Sequence, residues 1–243
     1  DVGIEVYGGR VEWAGVHAAE GYTRATGNPS SCSCDSSLQH QVIMGGLPIA
    51  HYAHTPILVV AMTSRSLSDG VGMDNSEPGI KSADEKLCMD GVTKWQADLH
   101  LSEKGPEMAQ YVFRQLLNGD PRPVAVNVLG SCSAVVKDEA ACAAYNPRSP
   151  FDPQYYMGEA RQGGDPEKVR AAVQMLLSAK KPLIVVGGGV NYSHAGKELR
   201  EFMQATQIPA TESALSHGMV WDDSKLSACP APAANAVADV AMF

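Results

Sequence analysis

Arg10-Val11-Glu12-Trp13-Ala14-Gly15-Val16-His17-Ala18-Ala19-Glu20-Gly21-Tyr22-Thr23-Arg24-Ala25-Thr26-Gly27 is an alanine-rich run with two stop signals at its end, Gly27 and then Pro29. The composition predicts a helix over residues 13–26, closed by a glycine that can take left-handed backbone. Residues 6–11 before it have the length of a short strand, and so do residues 30–35 after it. From Leu38 onward the apolar positions Val42, Ile43, Gly46, Leu47 and Ala50 recur at helical spacing, and Pro56-Ile57-Leu58-Val59-Val60-Ala61 is a continuous apolar run of buried-strand length. The rhythm is strand, helix, strand.

The same alternation continues downstream. Residues 64–90 are polar, rich in Gly and Asp and without period, which predicts a long functional loop or short irregular elements. Residues 92–95 read as a strand. Gly105-Pro106 opens a helix with Met108, Val112 and Leu116 on one face and Gly119 to close it, and residues 123–128 read as the next strand. Residues 130–165 are broken by Asn146-Pro147, Ser149-Pro150, Asp152-Pro153 and Gly163-Gly164 and read as an interdomain connection. Asp165-Pro166 then caps a helix whose apolar stripe is Val169, Val173, Leu176 and Leu177. Residues 183–186 form a buried-strand run ending in Gly187-Gly188-Gly189. Ser193 is placed to cap a helix that buries Leu199, Phe202 and Met203, and residues 208–211 resume a strand. Such alternation predicts the α/β class, with parallel sheets covered by helices on both faces.

Composition narrows the function classes. Of 243 residues, 44% are hydrophobic and 19% charged, which is globular and not disordered composition. Nineteen basic against 27 acidic side chains give a net charge of −8 with no basic stripe, which argues against a nucleic-acid groove and against an anionic membrane surface. No apolar run approaches the roughly 20 residues needed to span a bilayer, and residues 1–5 carry no signal-peptide pattern. Cys32, Cys34, Cys88, Cys132, Cys142 and Cys229 show no paired spacing beyond one C-x-C, so reduced thiols in a cytoplasmic protein are expected.

The opening stretch, taken as R-x-E, eight residues, then Gly21-Tyr22-Thr23-Arg24-Ala25-Thr26-Gly27, resembles without a gap the signature of thiamine-diphosphate-dependent enzymes of the acetolactate synthase group. Gly46-Leu47, Ala50 and Pro56-Ile57-Leu58 fall at that family's helix-then-strand positions, Val92-Thr93-Lys94-Trp95 resembles its "TKW" stretch, and residues 166–212 resemble the start of its central domain. The resemblance implies two flavodoxin/Rossmann-like domains: a pyrimidine-binding domain over residues 1–130 that lacks its first strand, a linker over 131–164, and a partial central domain over 165–243. It implies a fragment, a partly built chain or a split subunit, because the motif that holds diphosphate and Mg2+ in the family has no counterpart here. Such a chain is expected to be inactive alone, and a homodimer or homotetramer is implied.

In that family the coenzyme's thiazolium C2 must lose a proton, and a glutamate hydrogen-bonded to the aminopyrimidine N1′ makes this feasible. Glu12 is the matching residue. The substrate class implied is a small 2-keto acid. Oxalyl-CoA decarboxylases and cyclic diketone hydrolases are the enzymatic alternative, with an acyl-CoA or diketone substrate, and a non-catalytic homologue is the alternative from another class. One departure stands out: a Ser-Gly-Pro-Gly turn lies close to the cofactor in most members, and here the positions read Ser36-Ser37-Leu38-Gln39. Gln39 and His40 are then either polar contacts to substrate or first-turn helix residues. His17, His51 and His54 read as proton shuttles or as packed imidazoles, the latter favoured for His17, and Cys32 with Cys34, sharing one strand face, read as zinc ligands or as core thiols, the latter favoured because no second ligand pair follows. Some relatives bind FAD in the central domain, where Gly187, Gly188 and Gly189 could admit a dinucleotide phosphate or simply form a tight turn.

Overall fold

The computed structural model describes residues 4–34, 42–63, 85–129, 163–221, 224–228 and 231–243. The chain divides into two compact units, Asp1–Glu159 and Ala160–Phe243.

The first unit begins with helix α1 (Glu12–Thr26), ended by Gly27 at φ 74°, whose N–H donates to Thr23 O. Strand β1 (Ser30–Cys34), helix α2 (Leu47–Tyr52) and strand β2 (Ile57–Thr63) follow. Next come the short helix α3 (Glu85–Met89), strand β3 (Trp95–Leu99), helix α4 (Gly105–Leu117) and strand β4 (Val124–Leu129). The four strands form a wholly parallel sheet in the order β1-β2-β4-β3. Alternation along β4 splits the core: Val124 and Val126 pack with Val112 and Leu116 of α4, while Ala125 joins Val16, Ile43, Leu47, Ile57, Val59 and Met89 on the other face. Helices therefore flank both faces of a parallel sheet, as the alternation predicts.

Two details differ from the sequence reading. Residues 6–11 form no strand; Val6 and Tyr7 are 85% and 86% exposed, because an extended segment becomes a strand only when a neighbour completes its ladder. The predicted strand at 92–95 lies instead at Trp95–Leu99: Val92 N–H and Thr93 Oγ1 both donate to Met89 O, which ties residues 92 and 93 into the turn after α3, and Lys94 N–H donates to Pro123 O just before the first rung of the ladder to β4. Residues 85–89 form a short helix, in keeping with the short elements allowed over 64–90, while 64–84 lie outside the described residues.

Lys94 also caps α4 from outside it. Its Nζ donates to Gln115 O at 2.6 Å and to Asn118 O at 2.5 Å, two carbonyls that the end of the helix leaves without intrahelical partners. Partial burial lowers its pKa, yet the cation sits where the helix dipole favours it. Lys94→Met keeps the aliphatic stem and removes both bonds, so it lowers unfolding stability by about 1–2 kcal/mol, read from the urea midpoint at unchanged m.

The second unit carries helix α5 (Pro166–Ser178), strand β5 (Pro182–Val186), helix α6 (Gly188–Tyr192), helix α7 (Gly196–Thr206), strand β6 (Ala210–Glu212), helix α8 (Ala231–Val237) and strand β7 (Val240–Met242). Its parallel sheet has the order β6-β5-β7. Asp165 caps α5 as expected, accepting from Glu167 N and Lys168 N. Of the predicted stripe, Leu176 is buried, whereas Val169 and Leu177 are more than half exposed: one turn of α5 and not its length packs on the sheet. Ser193 ends α6, and the N-cap of α7 is Ala195, which has no side chain to cap with. The carboxylate of Glu212, 2% exposed, accepts from Val220 N and Gly218 N and fixes the loop after β6. Among the described residues no helix is long and apolar enough to cross a membrane.

Candidate functional site: the cavity beside Glu12

Glu12 opens α1. Val11 at the N-cap has extended backbone and no side-chain hydrogen bond, so no cap side chain satisfies the N–H groups of the first turn, and Glu12 lies at the positive end of the helix dipole. The residue is half-buried. It lines a cavity of about 720 Å3, together with Val11, Gly15, Ala18, Ala19 and Tyr22 of the same helix, all of β1, Val60 of β2 and residues from the segment 4–9. Gly15 and Ala18 keep this helix flank low. A Cβ on Gly15 would come no nearer than 3.9 Å to Cys32 Cβ, so the wall has room beside it.

Contacts between α1 and β1 fix where along the sheet Glu12 lies. Ser30 Oγ, at the start of β1, donates to Ala19 O at 2.7 Å and lies 2.7 Å from Thr23 Oγ1, while Gly15 sits over Cys32. Helix and strand thus run in opposite directions, and at about 1.5 Å rise per helical residue against about 3.3 Å per strand residue Glu12 comes level with the Ser33–Cys34 pair, the last two residues of β1. Ligands of open parallel α/β sheets bind outside the carboxyl ends of the strands.

The cavity's chemistry is selective. Among the described residues its charged lining side chains are Glu5 and Glu12, amid hydroxyls of Ser30, Ser31, Ser33 and Tyr7 and apolar or small groups, and none of those residues is a Lys, Arg or His. Such a surface fits a neutral or protonated heteroaromatic ring and not a diphosphate. An aminopyrimidine offering a ring nitrogen to Glu12 therefore fits, and the diphosphate needs other residues. Among the described residues no three His, Cys, Asp or Glu side chains come together in a group able to hold a metal ion.

The other candidate residues separate. Ser36, Ser37, Leu38, Gln39 and His40 follow β1 at its carboxyl end but lie outside the described residues. His17 faces away from the cavity lining, edge-on to Trp13 with ring centroids 5.7 Å apart and with Nδ1 3.7 Å from Glu20 Oε2. His51 and His54 precede β2, at the amino end of the sheet. Burial, then the Arg122 charge, lowers the pKa of His51, and His54 pairs with Asp120, so neither reaches Glu12. Gly188 has no side chain because Leu215 is there: a Cβ would lie 3.3 Å from Leu215 Cβ, and Ser213 N and Ser216 Oγ both donate to Val186 O across the strand end. The absent side chain at Gly188 accommodates the protein's own loop.

Cys32 and Cys34 share the inner face of β1, and neither is in a disulfide, nor is Cys88; Cys132, Cys142 and Cys229 lie outside the described residues. Burial pushes the Cys32 thiol up to about 12. At pH 8 its thiolate fraction is then about 10⁻⁴, so iodoacetamide leaves Cys32 of the folded protein unmodified while the same peptide is alkylated after unfolding, as read by mass spectrometry. The sequence reading missed Tyr22, Ser31 and Ser33 as lining groups. For the two serines the signal was available, since Ser-Ser-Cys-Ser-Cys on a strand alternates hydroxyls and thiols between faces.

Comparison with known proteins supplies the wider frame. Residues 1–84 match the family model described as thiamine pyrophosphate enzyme, N-terminal TPP binding domain, and residues 169–241 match thiamine pyrophosphate enzyme, central domain. The chain is 26% identical over 228 residues to acetolactate synthase of Arthrospira platensis, covering 92% of this chain and 37% of that one. It is 29% identical over 223 residues to acetolactate synthase isozyme 2 large subunit of Escherichia coli, again covering 92% and 37%. It is also 41% identical over 79 residues to oxalyl-CoA decarboxylase of Escherichia coli, covering 32% of this chain and 14% of that one. Among solved structures, a thiamine diphosphate-dependent 4-hydroxybenzoylformate decarboxylase of Rhodococcus jostii superposes with a TM-score of 0.64 at 19% identity, over 84% of this chain and 36% of that one. The chain thus spans about a third of the length of the curated relatives it matches over most of its own. With both domain models falling in order on the two parallel-sheet units, and a glutamate lining the cavity of the first, this chain belongs to the thiamine pyrophosphate enzyme family.

Proposed function

We propose that this chain is part of a thiamine-diphosphate-dependent lyase or carboligase acting on 2-keto acids, similar to acetolactate synthase. In this reading residues 1–130 form the pyrimidine-binding domain, 131–164 a linker and 165–243 part of the central domain, the diphosphate and Mg2+ are held by residues beyond those described, and the enzyme works as a homodimer or homotetramer. The observation that carries it is Glu12 itself, half-buried at the first turn of α1 and lining a cavity without described cations at the carboxyl end of β1. Thiamine diphosphate supplies, when bound, a carbon acid whose conjugate base adds to a carbonyl. Glu12 holds a proton at the pyrimidine N1′, and the low wall of Gly15 and Ala18 leaves the ring space against α1. Val11, Ala19, Cys34 and Val60 line the same cavity and give the ring apolar surface to pack against. Flavin binding is not part of this reading.

A second reading keeps the same residues and changes the substrate to an acyl-CoA, supported by the 41% identity to oxalyl-CoA decarboxylase and by 24% identity over 223 residues to 2-hydroxyacyl-CoA lyase 1 of Mus musculus. The experiment that separates them is carbon dioxide release by the complete enzyme, loaded with thiamine diphosphate and Mg2+, from a panel of 2-keto acids and from oxalyl-CoA. Turnover of at least one 2-keto acid is expected. Release from oxalyl-CoA alone would replace the first reading by the second.

A further inference from the structure

We propose that the Gly45-Gly46 turn positions Glu12, so that Gly46 is a positioning residue for the proton held at the cofactor ring; this rests on the reading of Glu12 above. Helix α1 has no side-chain cap at its N-terminus, so hydrogen bonding alone does not fix its first turn. Packing does. The turn before α2, closed by Gly45 N to Val42 O and Gly46 N to Ile43 O, comes up against the first two turns of α1.

The approach is too close for a side chain. A Cβ on Gly46 would lie 2.8 Å from Val16 Cγ1 and 2.9 Å from Val16 Cβ, and a Cβ on Gly45 would lie 3.3 Å from Trp13 Cβ. Gly46 has φ −114° and ψ −34°, backbone that any residue adopts, so glycine is required there by proximity and not by conformation. Val16 cannot yield: it is fully buried, its Cβ is fixed to the helix backbone, and a β-branched side chain in a helix has one preferred rotamer. An added methyl must therefore push the helix and the turn apart.

That push reaches Glu12. At about 100° per residue, Val16 and Trp13 project about 40° and 100° round the helix from Glu12, so the turn bears on the flank beside the carboxylate while Gly15 and Ala18 form the cavity wall on the other side. Restoring ordinary van der Waals distance needs a movement of roughly 0.5–1 Å, on the scale at which misplacing a catalytic group costs about 10²-fold in rate.

The test uses the complete enzyme saturated with thiamine diphosphate and Mg2+, following hydrogen–deuterium exchange at the cofactor C2 by quenched-flow NMR and cofactor affinity by calorimetry. Gly46→Ala is expected to slow exchange by about 10- to 100-fold with cofactor affinity within about threefold of wild type, and Gly45→Ala by a smaller factor, since 3.3 Å requires a shift of only a few tenths of an ångström. Adding Val16→Ala to Gly46→Ala removes the nearer contact and recovers part of the loss. A role confined to stability would lower the melting temperature and leave exchange per loaded site unchanged, and that result overturns the proposal. Should Gly46→Ala fail to fold, Gly45→Ala decides by the same readout. Glu12→Gln runs alongside: wild-type exchange in that variant means the reading of Glu12 has failed, whereas collapsed exchange in Glu12→Gln with wild-type exchange in the folded glycine variants rejects the positioning role alone.

Discussion

Turnover by the complete enzyme falls about 10²- to 10⁴-fold when Glu12 is replaced by Gln, with the far-ultraviolet spectrum and the melting temperature unchanged. The size follows from what the substitution removes. Gln has the length and shape of Glu, so the first turn of α1 and the cavity wall of Val11, Gly15 and Ala18 stay as they are. What is lost is a carboxylate able to share a proton with a ring nitrogen, and proton transfer by a positioned group contributes on that scale. The loss falls on kcat more than on KM, because Glu12 acts on the cofactor and the substrate's own contacts are untouched. Wild-type kcat in the Glu12→Gln enzyme would show that the carboxylate has no part in the chemistry.

The largest stability effect is expected at Ile57, the first residue of β2. Ile57 is fully buried in the cluster that also holds Val16, Leu47 and Val59, beneath α1 and α2. Ile57→Ala removes three carbons from a site closed on one side by the sheet and on the other by helices, so the cavity cannot collapse fully. The expected cost is about 2–5 kcal/mol, against about 0.5–1.5 kcal/mol for Ile57→Val. Denaturant unfolding of both variants checks the ordering. Equal costs for the two would mean that the site relaxes around the deletion and that β2 is not the rigid centre of the first unit.

How much of this was legible depended on whether the signal was local. Helix α1 was readable to within a residue, because alanine content, Gly27 and Pro29 all act within the segment, and Gly27 does take the left-handed backbone at φ 74° that the reading required. Strand β2 was readable because six consecutive apolar side chains have few other ways to be buried. Strand β3 was misplaced: it is an edge strand, half-buried along its whole length, so its two faces show no contrast to read, and the ladder that sets its start, from Lys94 N–H to Pro123 O onward, depends on a segment about thirty residues away. Residues 6–11 have the length of a strand but lack the ladder that would make them one.

The site divided in the same way. Glu12 was legible through the spacing of its motif, and the structure places it at a cavity; Ser36 to Gln39 lie outside the described residues, so their part is carried by sequence alone. The need for glycine at position 46 was hidden, since it arises from Val16 in another helix and leaves no mark on the local backbone.

Whether Glu12 shares a proton with the pyrimidine ring of the coenzyme is read from the 15N NMR signal of thiamine diphosphate labelled at N1′ and bound to the complete enzyme. A signal displaced toward the protonated ring is expected in wild type, returning to that of the free ring in Glu12→Gln; identical signals in the two bound forms would mean that no proton is shared.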